Sequence, residues 1–456
     1  MSIIETPCGK IEGTTSRYDD VIAYKGIRYA TANRYEYPVE VTHWDGVYKA
    51  DKYGDCSVQP RSFINEETLE SKKFYYNEFR KGETYTYSED CLFLNIWTPK
   101  GAKKGDNLPV LFYIHGGGFT GGCGHEKHFD GPVWPTKGVI GVTINYRLGP
   151  LGFACLEELA NKDGHTGNYG LYDQLTALKW INHNIEYFGG DKNKITIMGQ
   201  SAGAMSVQQL VLSPLTKGLV SGAVMSSGGG FSKVMGNAKN ASDFYGFWKE
   251  IMEEAKCNTA DELKKLDVKK LFDAWNVVKG KHKDMFMSTV PVVDGEFMPN
   301  DPATRGKDGE ELAIPYIMGS NSEDMIPPII HKMAKEWCLT VEKHGNNGYM
   351  YFFDRQLPGD DNGAWHSSDL WYWFGTLDNC WRPMSEKDYK VSEEMNDYLL
   401  NFVKTGDPNG KGLPTWTPYT KSCKKILRIG ENDTHMGGVN GAKLVKTMMT
   451  KKPVGE

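Results

Sequence analysis

The sequence predicts an α/β protein: one domain over residues 1–456, with a mostly parallel, twisted central sheet flanked by helices. Three observations predict it. Short apolar runs rich in β-branched and aromatic residues recur at 108–114, 139–145 and 194–198, the composition of strands buried on both faces. Between the second and third, Leu175, Leu178, Ile181 and Ile185 repeat at helical spacing within 173–187, so strand, helix and strand read as a right-handed parallel βαβ unit. The third run breaks through a glycine-rich pentapeptide into a further helical pattern at 205–212.

The remaining elements follow in order. Residues 219–226 read as the next strand, and 241–290, rich in Lys, Glu and Ala, as helices outside the sheet. Helical insertions are expected near 232–290 and 325–347. Residues 313–319 and 348–353 read as late strands, and 384–405 as a long amphipathic helix stopped by Gly406 and Pro408. The end of the chain, 441–456, reads as a helix or a loose tail. No linker separates independent domains.

Composition excludes several function classes. The chain has 456 residues with a net charge of −5, and it carries no long Lys/Arg runs, which argues against nucleic acid or anionic lipid as partner. It contains no eighteen-residue apolar run, so no membrane-spanning helix is expected. The first residues show no basic segment followed by an apolar stretch, so a cytoplasmic location is expected, or a secreted one if a leader had been removed. Nine cysteines occur singly, without a CxxC pair; neither a zinc site nor a disulfide scaffold is indicated, and reduced buried thiols are expected.

Three motifs carry chemistry. Gly199-Gln200-Ser201-Ala202-Gly203 follows a strand and opens a helix, the setting in which a sharp turn lifts a serine hydroxyl above a sheet. A glycine-rich loop with a helix-capping serine is the plainer reading of the pentapeptide alone. Upstream, a strand runs into His115-Gly116-Gly117-Gly118-Phe119, whose glycines let backbone N–H groups turn inward. The N–H groups of Gly117, Gly118 and Ala202 are the expected oxyanion donors, worth about 3 kcal/mol each in a transition state. His115 precedes the serine and reads as a structural hydrogen bonder.

In this arrangement the acid and then the base follow the serine. Of the later histidines, His331 follows Asp324 too closely, His344 lies in a polar turn expected to be solvated, and His435 is near the C-terminus. His366 sits among aromatics in Ala364-Trp365-His366, where partial desolvation favours the neutral imidazole that a general base needs. Asp324 is the expected acid and Glu323 the alternative.

Together these motifs resemble the type-B carboxylesterases, the cholinesterase-like branch of the α/β-hydrolase fold. The match runs from about Gly9 to Gly430 and is densest at Ser-Glu-Asp-Cys-Leu-Phe-Leu-Asn-Ile-Trp (88–97), Asn-Tyr-Arg-Leu-Gly-Pro-Leu-Gly-Phe (145–153), Gly-Asn-Tyr-Gly-Leu-Tyr-Asp-Gln (167–174) and Pro-Val-Val-Asp-Gly (291–295), besides the two glycine motifs. The resemblance implies Ser201, Asp324 and His366 as a catalytic triad, although Asp324 stands where the family usually has Glu. It implies ion pairs Arg34–Glu89 and Arg147–Asp173, a secondary buried pair Ser227–Asp369, and a Cys56–Cys91 disulfide in secreted members, not expected in this chain.

The chain departs from the family in three ways. Gln200 replaces the acidic residue of cholinesterases. The stretch from Asp324 to His366 spans only 42 residues, which implies a shortened helical cap and a shallower, more open pocket. No counterpart of an aromatic choline-binding loop is evident; the aromatic segment 60–87 is expected to cover the sheet edge, with a pocket rim as the alternative.

The expected function is hydrolysis of carboxylic esters through an acyl-enzyme, on a small-molecule ester, with no cofactor or metal. Phe119, Gln200 and Trp365 are the expected substrate-binding residues. A feruloyl or aryl esterase and a lipase are the alternatives, and a non-catalytic binding module of the same fold is the reading from another class. The sequence leaves oligomeric state open.

Overall fold

A computed structural model describes residues 3–231, 238–282, 289–430 and 433–450. An eleven-stranded sheet organises them. Its parallel centre runs, in spatial order, Ile140–Ile144, Leu108–Ile114, Gly190–Gln200, Gly222–Ser226, Tyr316–Asn321, Gly348–Phe353 and Ile426–Ile429. Antiparallel strands finish both edges: Thr434–Gly437 at one, and Phe93–Pro99, Val21–Arg28 and Thr14–Thr15 at the other. The sequence reading found every central strand except the short Ile426–Ile429 and missed the antiparallel edges. In Val21–Arg28 the interruptions Lys25, Gly26 and Arg28 hide the apolar pattern.

Alternation explains why the central strands look uniformly apolar. Val110, Phe112 and Ile114 join one buried cluster, while Leu111 and Tyr113 join another on the opposite face. Both faces are covered, so neither side of these strands needs polar residues. The helices Tyr169–Asn184 and Ala202–Leu212 pack into the first cluster, and Glu386–Thr405 into the second.

Local chemistry sets the element ends. Asn168 takes a left-handed conformation (φ 55°), so the helix expected at 173–187 starts earlier, at Tyr169. Gly406, also left-handed (φ 79°), ends Glu386–Thr405 and lets its N–H donate to Phe402 O. Helices Tyr245–Glu254, Ala260–Lys265 and Val268–Lys281 fill the region of the first expected insertion. The second, near 325–347, is a correction: helix Pro327–Lys343 packs on strands Tyr316–Asn321 and Gly348–Phe353 as the crossover of a βαβ unit, not as an inserted cap. Helix Gly441–Thr450 begins the C-terminal segment. Parts of the expected features, 232–237, 283–288 and 451–456, lie outside the described residues. Among the described residues no helix is long and apolar enough to cross a membrane.

Candidate functional site

Strand Gly190–Gln200 and helix Ala202–Leu212 meet at Ser201, which adopts φ 56°, ψ −125°. A non-glycine residue there is strained by about 1–3 kcal/mol. Its neighbours hold it in place. A Cβ on Gly199 would lie 2.3 Å from Gly203 carbon, one on Gly203 2.1 Å from Ile114 O, and one on Gly228 2.3 Å from Ser201 O. Glycine at all three positions lets strand and helix approach closely enough to make the turn. Ser201 N–H donates to Ser226 O at 2.9 Å, tying the turn to the next strand.

The glycine loop lies against this turn. A Cβ on Gly116 would be 3.1 Å from Ser201 Cβ. Gly117 and Gly118 have φ of 110° and 62°, and a Cβ on Gly117 would strike Gly121 O at 2.1 Å. Among the described residues the N–H groups of Gly117, Gly118 and Ala202 donate to no protein acceptor. His115 sits beneath the loop with Nδ1 2.8 Å from Gly116 O, and burial lowers its pKa.

Opposite, His366 Nδ1 lies 2.7 Å from Asp324 Oδ1. That contact puts the ring proton on Nδ1 and leaves Nε2 as an acceptor. Asp324 is fully buried, and it also accepts from Asn321 N–H at 2.8 Å and Ser227 Oγ at 3.0 Å. Glu323, the alternative acid, instead accepts from Ala364 N–H at 3.0 Å. Gln200 Nε2 donates to His366 Nε2 at 3.2 Å, and among the described residues no hydrogen bond joins Ser201 Oγ to His366.

A second layer, of which the sequence marked Asp369 and Ser227 alone, supports the histidine loop. Asn321 Nδ2 donates to Trp365 O (2.9 Å) and Asp369 Oδ1 (3.1 Å). Ser226 Oγ donates to Asp369 Oδ2 at 2.8 Å, while Tyr351 OH and Trp373 Nε1 lie 2.8 and 3.1 Å from the same oxygen. Burial raises the Asp369 pKa against these donors. The expected Ser227–Asp369 pair is therefore corrected by one position: Ser226 meets Asp369, and Ser227 meets Asp324. Ser226 and Asn321 each stand at the carboxyl end of a strand, the one signal that marked them.

Arg34 Nε donates to Glu89 at 2.8 Å, and Arg147 Nε and Nη2 to Asp173 at 2.9 and 2.7 Å. Phe119 and Trp365, expected to bind substrate, have 0% exposure: Phe119 packs edge-on against Phe153, and Trp365 among Phe74, Tyr75 and Phe79. Their place in the core follows from bulk: an indole or phenyl ring beside a strand end is as readily packed as presented. Within the segment 60–87, Phe74, Tyr75 and Phe79 thus pack against the histidine loop at Trp365. His331 is buried against Ser320 Oγ, its pKa pushed down to about 3 by burial, and His344 pairs with Glu311 at 2.7 Å instead of lying free in solvent. All nine cysteines are free.

The comparisons place the chain among known proteins. The model of the carboxylesterase family matches residues 1–337 and 328–448. The chain is 28% identical to para-nitrobenzyl esterase of Bacillus subtilis, covering 95% of both chains. It is 31% identical to bile salt-activated lipase of Mus musculus, over 95% of this chain and 84% of that one. A solved esterase from the anaerobe Clostridium hathewayi, described as hydrolysing aliphatic aromatic polyesters, superposes with a TM-score of 0.84 at 25% identity, over 98% of each chain.

Proposed function

The chain belongs to the carboxylesterase family and is a carboxylesterase, and from that premise we propose that it works through Ser201, His366 and Asp324. Ser201 Oγ attacks the ester carbonyl carbon while its proton passes to His366 Nε2. The N–H groups of Gly117, Gly118 and Ala202 hold the oxyanion. The tetrahedral intermediate collapses, the C–O bond breaks, and the alcohol leaves with the proton from His366. Water then loses a proton to Nε2 and attacks the acyl carbon, releasing acid and Ser201. Asp324 keeps the imidazole in its working tautomer and stabilises the imidazolium.

One observation carries this reading: the 2.7 Å contact between His366 Nδ1 and a buried Asp324, with the amide on Nε2 coming from the residue next to Ser201. For Ser201 to hand over its proton, the Gln200 amide must yield Nε2. The short stretch from Asp324 to His366 supports a pocket open on that side and tolerant of bulky esters. The buried rings of Phe119 and Trp365 take away the aromatic wall on which a feruloyl- or aryl-specific reading would rest.

A fluorophosphonate probe tests the mechanism. Wild-type protein should be labelled on the peptide carrying Ser201, and Ser201→Ala should not; labelling elsewhere, or none of folded protein, refutes it. A chain-length series of nitrophenyl esters, with methyl ferulate and emulsified triglyceride, ranks the substrate classes. Preference for methyl ferulate would restore the aryl reading, and activation at the emulsion surface would favour a lipase.

A further inference from the structure

Among the described residues one set of three or more histidine, cysteine or carboxylate side chains brings its ligand atoms together: Cys56, Cys123 and His125. The three atoms all lie within 4.8 Å of one another, and Cys56 Sγ is 3.6 Å from His125 Nε2. Bond lengths of about 2.3 Å to sulfur and about 2.0 Å to nitrogen put two ligands of one zinc-like ion at roughly that separation. Cys56 and Cys123 are buried, at 0% and 1% exposure.

We propose that Cys56, Cys123 and His125 form a binding site for a thiophilic d¹⁰ cation, Zn²⁺ or Cu⁺, apart from the ester-cleaving residues. Two thiolates and an imidazole are soft and borderline donors, which select these ions over Mg²⁺ or Ca²⁺. On binding, each thiol releases its proton to solvent as a sulfur–metal bond forms; no electrons move. Three protein ligands suffice for trigonal Cu⁺, and Zn²⁺ would add a water.

The surroundings are built in support. Arg61 Nη2 lies 3.7 Å from Cys123 Sγ and is itself paired with Glu126. The Tyr53 ring stacks on His125, with centroids 4.6 Å apart and planes at 9°, fixing the imidazole's orientation. A surface cavity of about 250 Å³, lined by Tyr53, Glu83, Tyr85, His125 and Asp130, brings solvent to the His125 side of the cluster. Cys123 follows Gly122, whose N–H and carbonyl are held by the Gln59 amide at 2.9 and 3.1 Å, so the ion would join segment 56–59 to the end of the glycine loop.

Reduced full-length protein, kept free of oxygen, would be titrated with Zn²⁺ and, separately, with Cu⁺ against a competing chelator. Calorimetry and native mass spectrometry would read the result. One ion per chain is expected, together with a rise in melting temperature at saturation. Cys56→Ser, Cys123→Ser and His125→Gln should each weaken binding at least about tenfold, whereas Cys338→Ser, at a buried thiol elsewhere, should not. The tighter-binding arm identifies the ion. Binding of neither ion, or binding that survives the double cysteine substitution, overturns the proposal. So does reduced protein that binds nothing while its air-oxidised form yields a Cys56–Cys123 disulfide. Should the serine variants fail to fold, His125→Gln decides: loss of affinity for the ion that wild type binds supports the site, and unchanged affinity for both Zn²⁺ and Cu⁺ refutes it.

Discussion

The two halves of the candidate site are made of different material. Around Ser201 the geometry resides in the main chain: a strained serine, three glycines pressed against backbone, and the glycine-rich 116–118 loop lying against the turn. Around His366 it resides in side chains: Asp324 on the ring, Asn321 and Ser227 on Asp324, and Ser226, Tyr351 and Trp373 on Asp369. The difference teaches where function is written. Main-chain geometry demands glycine, which stands out in a sequence; side-chain convergence draws on ordinary polar residues that do not.

The comparison can be broken most severely at the nucleophile. Ser201→Ala should lower kcat for a nitrophenyl ester by about 10⁶-fold and leave the melting temperature no lower; activity within a hundredfold of wild type would remove the serine from the mechanism. On the side-chain half, Asp324→Asn should cost about 10⁴-fold by trapping the wrong tautomer, whereas Glu323→Gln should cost less than about tenfold. The reverse order would move the acid by one residue. Returning to the main-chain half, Gly117→Ala should reduce kcat by about 10²–10³-fold, because the added methyl displaces an oxyanion donor; a change in KM alone would count against that role.

Gln200 joins the halves, and its variant sharpens the contrast. Gln200→Glu places a carboxylate beside His366 Nε2, which favours imidazolium, so the acid limb of the kcat/KM profile should move up by about 1 pH unit. An unmoved limb would place the Gln200 side chain away from the imidazole in solution. The smallest effect on turnover is a stability effect with a member in each half. His128, beyond the glycine loop, and His331, beneath the strand leading to Asp324, are both held near pKa 3 by burial. In the unfolded chain they titrate near 6.5. Between about 6.5 and 3 the unfolded chain binds more protons, so stability should fall as the pH drops through that window and level off below it. Urea midpoints measured at pH 7 and pH 4 check this, and His331→Gln should lose less across the interval than wild type.

What could be read beforehand follows the same division. The 199–203 and 115–118 motifs were visible because each glycine answers a close approach or a positive φ. Asp324 is preferred in the sequence with Glu323 kept as the alternative, since register across a loop is set by contacts 42 residues away; the structure puts Asp324 on the imidazole and Glu323 on a backbone amide. Phe119 and Trp365 lie buried in the structure, a placement the sequence could not give because an aromatic residue beside a motif carries no mark of which way it faces. Asn321, Ser226 and Tyr351 gave no signal beyond their place on the strands. Cys56 and His125, 69 positions apart, defeat any search for close cysteine pairs.

Ser201 sits in a strained backbone conformation that glycine would adopt freely. With Ser201 in the role proposed above, selection for ester turnover works against selection for heat resistance at a single codon. In a lineage released from catalysis, drift at this position should run toward glycine and leave behind a sturdier but silent descendant.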